Sequence, residues 1–325
     1  MTLNDALLGT RPKVSGPQNA DVMQDRKHDM DKITVAICTG MGYDLTKLLE
    51  SLVATDCDEI LIIGTQGYFF IFNSHFNDPR VKTMYAPHAL NAKRNVALKE
   101  ASGDILAFVD DDAVVCSTWI QAIRNGFSCE KVGIVTGPSL LAPEATLWQR
   151  TAQLAMASSP YSIRRYNAFE EGLVEWYNVI GANFAFRKTA LSDAGGCPEQ
   201  FLAQGDDMAM AHNVASRGWL VHYSPRASVY HPPHSFWRQV VQIQRFGRAA
   251  KRLKRAGIVH PKKDTAYYFY IPVLVLFSLS YVFGEIKETL LRDTDIKAKK
   301  LLHKHITNCI TKCLSVRAKP RDAQH

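Results

Sequence analysis

Three consecutive carboxylates, Asp110, Asp111 and Asp112, follow the apolar run Ile-Leu-Ala-Phe-Val of residues 105–109. Adjacent acids repel one another unless a positive group joins them. For acids gathered at a strand end, the usual partner is a hard divalent cation, Mg2+ or Mn2+, that itself carries a diphosphate. A solvated acidic turn is the plainer alternative for a bare triplet, so the flanking residues decide. Lys93 and Arg94 stand just upstream, in the helical stretch Leu90-Asn-Ala-Lys-Arg-Asn-Val-Ala-Leu-Lys-Glu-Ala that leads into the acidic strand. A forked guanidinium suits phosphate oxygens, and this position would set both basic residues across a diphosphate from the acids.

A second pair of acids, Asp206 and Asp207, follows Gly205 and opens a stretch with Met208, Met210 and Val214 on helical spacing. His231 ends the short run Val229-Tyr-His. Its imidazole can ligate Mn2+; among His231, Pro232, Pro233 and His234 it could equally cap a loop. Paired acids also serve glycoside hydrolases, but those enzymes need no nucleotide site, and the basic helix before the acidic strand argues against them. Gly40 and Gly42 do not make a dinucleotide fingerprint, because the third glycine and the acidic ribose partner are missing.

These residues need a frame. Ile33-Thr-Val-Ala-Ile-Cys reads as a buried strand ended by Thr39-Gly40-Met41-Gly42. Leu45, Leu48, Leu49 and Leu52 follow at helical spacing, and Glu59-Ile-Leu-Ile-Ile closes a strand–helix–strand unit. Such units predict an α/β fold with parallel pairing and ligands at the carboxyl ends of the strands. Val81-Lys-Thr-Met-Tyr is a predicted short strand. Residues 1–31 are polar and broken by Gly9, Pro12, Gly16 and Pro17, which predicts a mobile tail.

Taken together, Lys93-Arg94-Asn95, Gly103-Asp104 and Phe108-Val-Asp-Asp-Asp112 resemble the nucleotide-sugar half of family-2 glycosyltransferases, enzymes of the GT-A fold with a DXD motif. Asp110 and Asp112 match the two acids of DXD. Gly181-Ala-Asn-Phe-Ala-Phe-Arg-Lys resembles the family's strand near the donor sugar, and Gly205-Asp-Asp207 resembles its Gly-Glu-Asp segment. Val229-Tyr-His231 is similar to the strand end that can complete the metal site, and Gln242-Ile-Gln-Arg245-Phe246 to the QxxRW signature.

The resemblance covers about residues 32–255 and implies a Rossmann-like, mixed GT-A sheet with a helical carboxyl-terminal extension. It implies Asp207 as catalytic base and Asp112 with His231 as metal ligands. Thr39, Lys93, Arg94, Asp110, Asp111, Asn183, Asp206 and Arg245 would contact the donor. Where the family carries an acid after the second strand to read the base or ribose, this chain has Gly64-Thr-Gln-Gly67, so a backbone or Thr65 contact would have to substitute.

The chain of 325 residues is 46% hydrophobic, enough for a sizeable core, and carries a formal charge of +8. From Arg238 to Lys263 it holds nine basic residues and no acid, which alone accounts for that excess. Beside this collar, Tyr267 to Gly284 is uncharged and aromatic, borderline for a spanning helix of ~20 residues, and Leu302, Ile306, Cys309 and Cys313 share a later helical face. A region 238–325 lying on or in an anionic membrane is expected beyond a GT-A domain at 32–237; a docked soluble hairpin is the alternative.

Nucleic acid would also match the charge. It leaves the apolar run unexplained, and no DNA- or RNA-binding pattern is visible, so no nucleic-acid partner is expected. Seven cysteines without a paired framework and a polar amino terminus predict a reducing compartment and a cytosolic membrane face. The expected function is metal-dependent, inverting transfer from a nucleotide-sugar to a lipid-linked or surface-glycan acceptor. The alternative is a membrane-bound nucleotide-sugar-binding scaffold without turnover.

Overall fold

The computed structural model describes residues 31–40, 44–65, 77–146, 149–150, 170–201, 205–232 and 235–258. The expected tail before Asp31, the apolar run 267–284 and the terminal amphipathic stretch lie outside the described residues.

The amino-terminal half builds strand β1 (Ile33–Cys38), helix α1 (Thr46–Val53), strands β2 (Glu59–Thr65) and β3 (Val81–Ala86), helix α2 (Leu90–Glu100) and strand β4 (Ile105–Val109). The apolar runs of β2 and β4 are buried throughout, as in sheets covered on both faces. Side chains alternate across the sheet. Ile105, Ala107 and Val109 enter the core that α1 caps with Leu48, Leu49 and Leu52, while Leu106 and Phe108 enter the opposite core.

Strand β5 (Val114–Val115), helix α3 (Trp119–Gly126) and strands β6 (Val132–Thr136), β7 (Ser139–Leu141) and β8 (Gly172–Val174) come next. After a 3-10 turn at Trp176–Asn178 come β9 (Asn183–Arg187) and helices α4 (Lys188–Asp193) and α5 (Asp206–Ser216). Strands β10 (Leu220–Tyr223) and β11 (Val229–His231) and helix α6 (Phe236–Arg255) follow.

The main sheet has eight strands in the order β3-β2-β1-β4-β9-β6-β10-β8, and a second sheet has the order β5-β11-β7. β1, β2, β3 and β4 pair in parallel, as the strand–helix–strand units require. β9 runs antiparallel to both β4 and β6, so the sheet is mixed. The reason is where β9 starts. It is entered at the sheet end where β4 finishes, and an antiparallel strand needs no crossover to return from there.

The expected boundary after residue 237 falls inside the first turn of α6. That helix is packed on the rest of the fold, not separate from it: Leu253, Phe201, Ala209 and Ile258 form one cluster. A Cβ added to Gly205 would meet Ala249 Cβ at 3.2 Å and Leu253 Cδ1 at 3.3 Å. Among the described residues no helix is long and apolar enough to cross a membrane. The cysteines at 38, 57, 116, 129 and 197 are free thiols.

Candidate active site

The acidic triplet sits where β4 ends, and the small sheet brings histidine to it. β11 pairs antiparallel with β5, Tyr230 opposite Val114, so the next residue, His231, arrives beside the turn that holds Asp112. His231 Nε2 lies 3.0 Å from Asp112 Oδ1 and 3.8 Å from Asp110 Oδ2. Nδ1 is 3.0 Å from the Pro232 carbonyl, which turns Nε2 toward the acids. One ligand atom from each of Asp110, Asp112 and His231 falls within 4.8 Å of the others.

Burial pushes the Asp110 carboxyl up to about 7, although His231 opposes the shift. Burial works against a charged His231, but hydrogen bonding to Asp112 and the charges of both acids outweigh it and push the imidazole up to about 9. The cluster therefore attracts positive charge. Two carboxylates and one imidazole, close together and partly buried, are a donor set that fits Mn2+ or Mg2+.

Asp111 turns away from the cluster. Its Oδ2 accepts from Thr39 Oγ1 at 2.8 Å and from the Gly40 amide at 3.3 Å, which ties the end of β4 to the end of β1. Burial raises its carboxyl, and these two donors counter the shift. Lys93 Nζ donates to the Thr39 carbonyl at 2.6 Å, and burial pulls its ammonium below the usual range.

Arg94 also points inward. Its guanidinium lies over the rings of Phe108 and Phe184, 5.6 and 5.2 Å from their centroids, and Nη1 donates to Asn91 Oδ1 at 3.2 Å and to Asp206 Oδ2. Asp206 and Asp207 occupy the first turn of α5, where the helix dipole favours negative charge; Gly205 caps that turn at φ 82°, in the left-handed region. Asp206 is buried on Arg94. Asp207 is partly exposed and lies against Gly181.

The two acidic centres meet across two residues. Gly181 abuts Asp207, and the carbonyl of the next residue, Ala182, accepts the Asp110 amide at 3.4 Å. Asp207 and the carboxylate cluster thus both adjoin the residues that lead into β9, Gly181 and Ala182.

Some residues expected at the donor are engaged within the protein. Lys93 and Arg94, expected across a diphosphate from the acids, are buried, 3% and 4% exposed, on protein partners. Asn183, also expected against the donor, is buried and hydrogen-bonded to three protein partners. Its Nδ2 donates to the carbonyls of Pro138 (3.1 Å) and Ala227 (2.7 Å), and its Oδ1 accepts from Trp119 Nε1 at 2.9 Å. Sequence spacing marks a helix or strand but not which polar side chain faces inward. Arg245 is exposed on α6, one turn before Ala249. Gly181, Asn91 and Asn95 gave no sign of their contacts in the sequence, because each depends on segments far away in the chain.

A mixed α/β sheet whose β4 ends in the DXD-type pair Asp110 and Asp112, with a second acid at the start of α5, is the arrangement of a GT-A glycosyltransferase. The chain belongs to glycosyl transferase family 21, whose model matches residues 77–280 and so includes every site residue above except Thr39. The earlier resemblance to family-2 enzymes and this match agree on the class.

An O-antigen biosynthesis protein, RfbC of Myxococcus xanthus, is 26% identical over 205 residues, 58% of this chain and 16% of that protein. A glucosyl-dolichyl phosphate glucuronosyltransferase of Haloferax volcanii is 22% identical over 221 residues, 62% of this chain and 69% of that protein. Among solved structures, the mannosyltransferase PcManGT of Pyrobaculum calidifontis, in complex with GDP-Man and Mn2+, is similar with a TM-score of 0.49. It is 14% identical, with 86% of this chain and 81% of that chain covered.

Proposed function

We propose that this chain transfers a sugar, with inversion, from a nucleotide-sugar donor to a lipid-linked or surface-glycan acceptor, and that it requires Mg2+ or Mn2+. The observation that carries this reading is the lead-in to β9, Gly181 and Ala182, which adjoins both Asp207 and the Asp110–Asp112–His231 cluster. Donor chemistry and acceptor chemistry need opposite sides of one anomeric carbon, and this geometry supplies two acidic centres separated by two residues.

Asp112, His231 and Asp110 would hold the cation, which supplies Lewis-acid stabilisation of the leaving diphosphate. Asp111 and Thr39 hold the end of β4 against β1, so the ligands keep their spacing. Arg245, exposed on α6, would steady the diphosphate. Asp207 accepts the proton of an acceptor hydroxyl as the new bond forms. For an acceptor that is already ionised, such as a polyprenyl phosphate, no proton needs removal and Asp207 would have a positioning role instead.

The names of the two curated relatives, one for O-antigen biosynthesis and one for a glucosyl-dolichyl phosphate substrate, support a surface-glycan or lipid-linked acceptor. The cationic residues of α6 support work at the cytosolic face of an anionic membrane. The test is a panel of sugar nucleotides, with Mg2+ or Mn2+, offered to purified protein with polyprenyl-phosphate and glycan acceptors. Turnover or transfer of one donor supports the reading. Absence of binding and of turnover across the panel sinks it, and tight diphosphate binding without turnover favours the scaffold.

A further inference from the structure

One face of α2 is polar, buried and fully engaged with a distant stretch of chain. Asn91, Arg94 and Asn95 fall at i, i+3 and i+4, which places them together on the helix surface. Asn91 Nδ2 donates to the carbonyls of Pro198 (2.7 Å) and Phe201 (3.4 Å). Asn95 Nδ2 donates to the Cys197 carbonyl (3.0 Å) and to Glu199 Oε1 (2.9 Å), and its Oδ1 accepts the Cys197 amide at 2.8 Å. Gly196, at φ 76°, lies so close that an added Cβ would stand 3.1 Å from Asn95 Oδ1. Arg94 takes Asp206, the last residue before Asp207.

The same guanidinium rests on Phe108 and Phe184. Phe108 is two residues before Asp110, and Phe184 is three after Gly181, the glycine against Asp207. Arg94 therefore touches β4, β9 and α5 together. An arginine that reached a diphosphate would need its donors directed at the ligand; Nη1 is directed at Asn91 and Asp206.

We propose that Arg94 is the positioning residue for Asp207: it fixes Asp206, while Asn91 and Asn95 hold residues 197–201, so that the first turn of α5 presents Asp207 beside Gly181. This rests on the proton-accepting role of Asp207. Arg94 acts through Asp206 and does not contact the donor.

The experiment compares Arg94→Lys, Arg94→Met, Asn95→Ala and Asp207→Asn in the full chain, reading donor affinity with Mn2+ by calorimetry, kcat of transfer, and hydrogen exchange by segment. In Arg94→Met, donor affinity stays within about twofold of wild type, kcat falls roughly ten- to hundredfold, and Arg94→Lys recovers part of it. Adding Arg94→Met to Asp207→Asn causes little further loss, because the arginine works through that carboxylate. Exchange rises in 197–207 and stays protected in 105–113.

A tenfold or greater loss of donor affinity with kcat preserved would show that Arg94 is a diphosphate ligand and would overturn the proposal, as would unchanged exchange in 197–207. Where Arg94→Met does not fold, Arg94→Lys and Asn95→Ala carry the same readouts. If wild type transfers nothing but exchange responds as stated, the clamp stands and the transferase reading has failed. If Asp207→Asn transfers at the wild-type rate while the Arg94 variants slow, the role given to Asp207 has failed.

Discussion

Gly181 and Asp207 are in direct contact: a Cβ added to the glycine would stand 3.0 Å from Asp207 Oδ2 and 3.3 Å from its Cγ. The requirement for glycine there is one of space. Gly181→Ala pushes the carboxylate a few tenths of an ångström from its place. We expect kcat to fall roughly tenfold or more, with metal binding and Tm near wild type, because a small misplacement of a reacting group is costly. Unchanged kcat would show that the carboxylate moves without consequence.

Asp207→Asn keeps the shape and hydrogen-bonding reach of the side chain but cannot take a proton. Transfer to a hydroxyl acceptor should fall ~10²-fold or more while donor affinity holds. Single-turnover rates alongside donor titration separate the two quantities. A variant that folds but no longer binds donor would place Asp207 on the donor side.

Removing a ligand from the cluster should act on the other side of the reaction. Asp112→Ala should abolish the dependence of donor binding on Mg2+ or Mn2+ and leave the chain folded, since the carboxylate is partly exposed. Mn2+ titration followed by electron paramagnetic resonance reads this directly. Metal uptake equal to wild type would remove Asp112 from the ligand set.

Asn183 has the opposite character. Asn183→Leu fills similar space but leaves the Trp119 indole N–H and the Ala227 carbonyl without the partner seen here, while the Pro138 carbonyl keeps the Val229 amide. The expected cost is about 3 kcal/mol, or roughly 6–12 °C in Tm for a domain of this size. A stable variant that had lost only donor affinity would return Asn183 to the donor.

Glu59 supplies a pH-dependent share of stability. Burial alone would raise its carboxyl, but donors from Lys82, Ser102 and Thr34 outweigh burial and hold it at about 2, against 4.5 in the unfolded chain. A depressed carboxylate stabilises the fold above the unfolded value and stops doing so as pH falls toward the folded one. Wild type should exceed Glu59→Gln by about 2 kcal/mol at pH 7, and the gap should narrow below about pH 4.5. Urea unfolding at pH 7, 5 and 3.5 measures it. A constant gap would mean that shape, not charge, is what matters at residue 59.

Elements with strong periodic signals were legible in the sequence. Ile33–Cys38, the leucines of α1 and the apolar run before Asp110 form the elements their patterns predict, because each buries a continuous or periodic apolar surface. The strand ends carrying Asp110, Asp112 and His231 were legible for the same reason. The inward turn of Arg94 was not: charge predicts exposure on average, and only the distant carboxylate of Asp206 and the rings of Phe108 and Phe184 make burial of a guanidinium favourable. The direction of β9 was equally hidden, because an apolar run reads the same whether its partners are parallel or antiparallel.

The pairing of β5 with β11, which brings His231 to Asp112, also joins parts of the chain separated by roughly 120 residues, and contacts of that span carry a loop-closure cost that must be met before they stabilise. The Asp110–Asp112–His231 cluster therefore does not exist until the carboxyl-terminal half has docked. An ion held by the finished cluster stabilises an arrangement that comes together late, so Mn2+ should lengthen the lifetime of the native state far more than it hastens refolding. The rate of unfolding in the presence and absence of the ion thus becomes a clock for the union of the two halves, independent of any sugar.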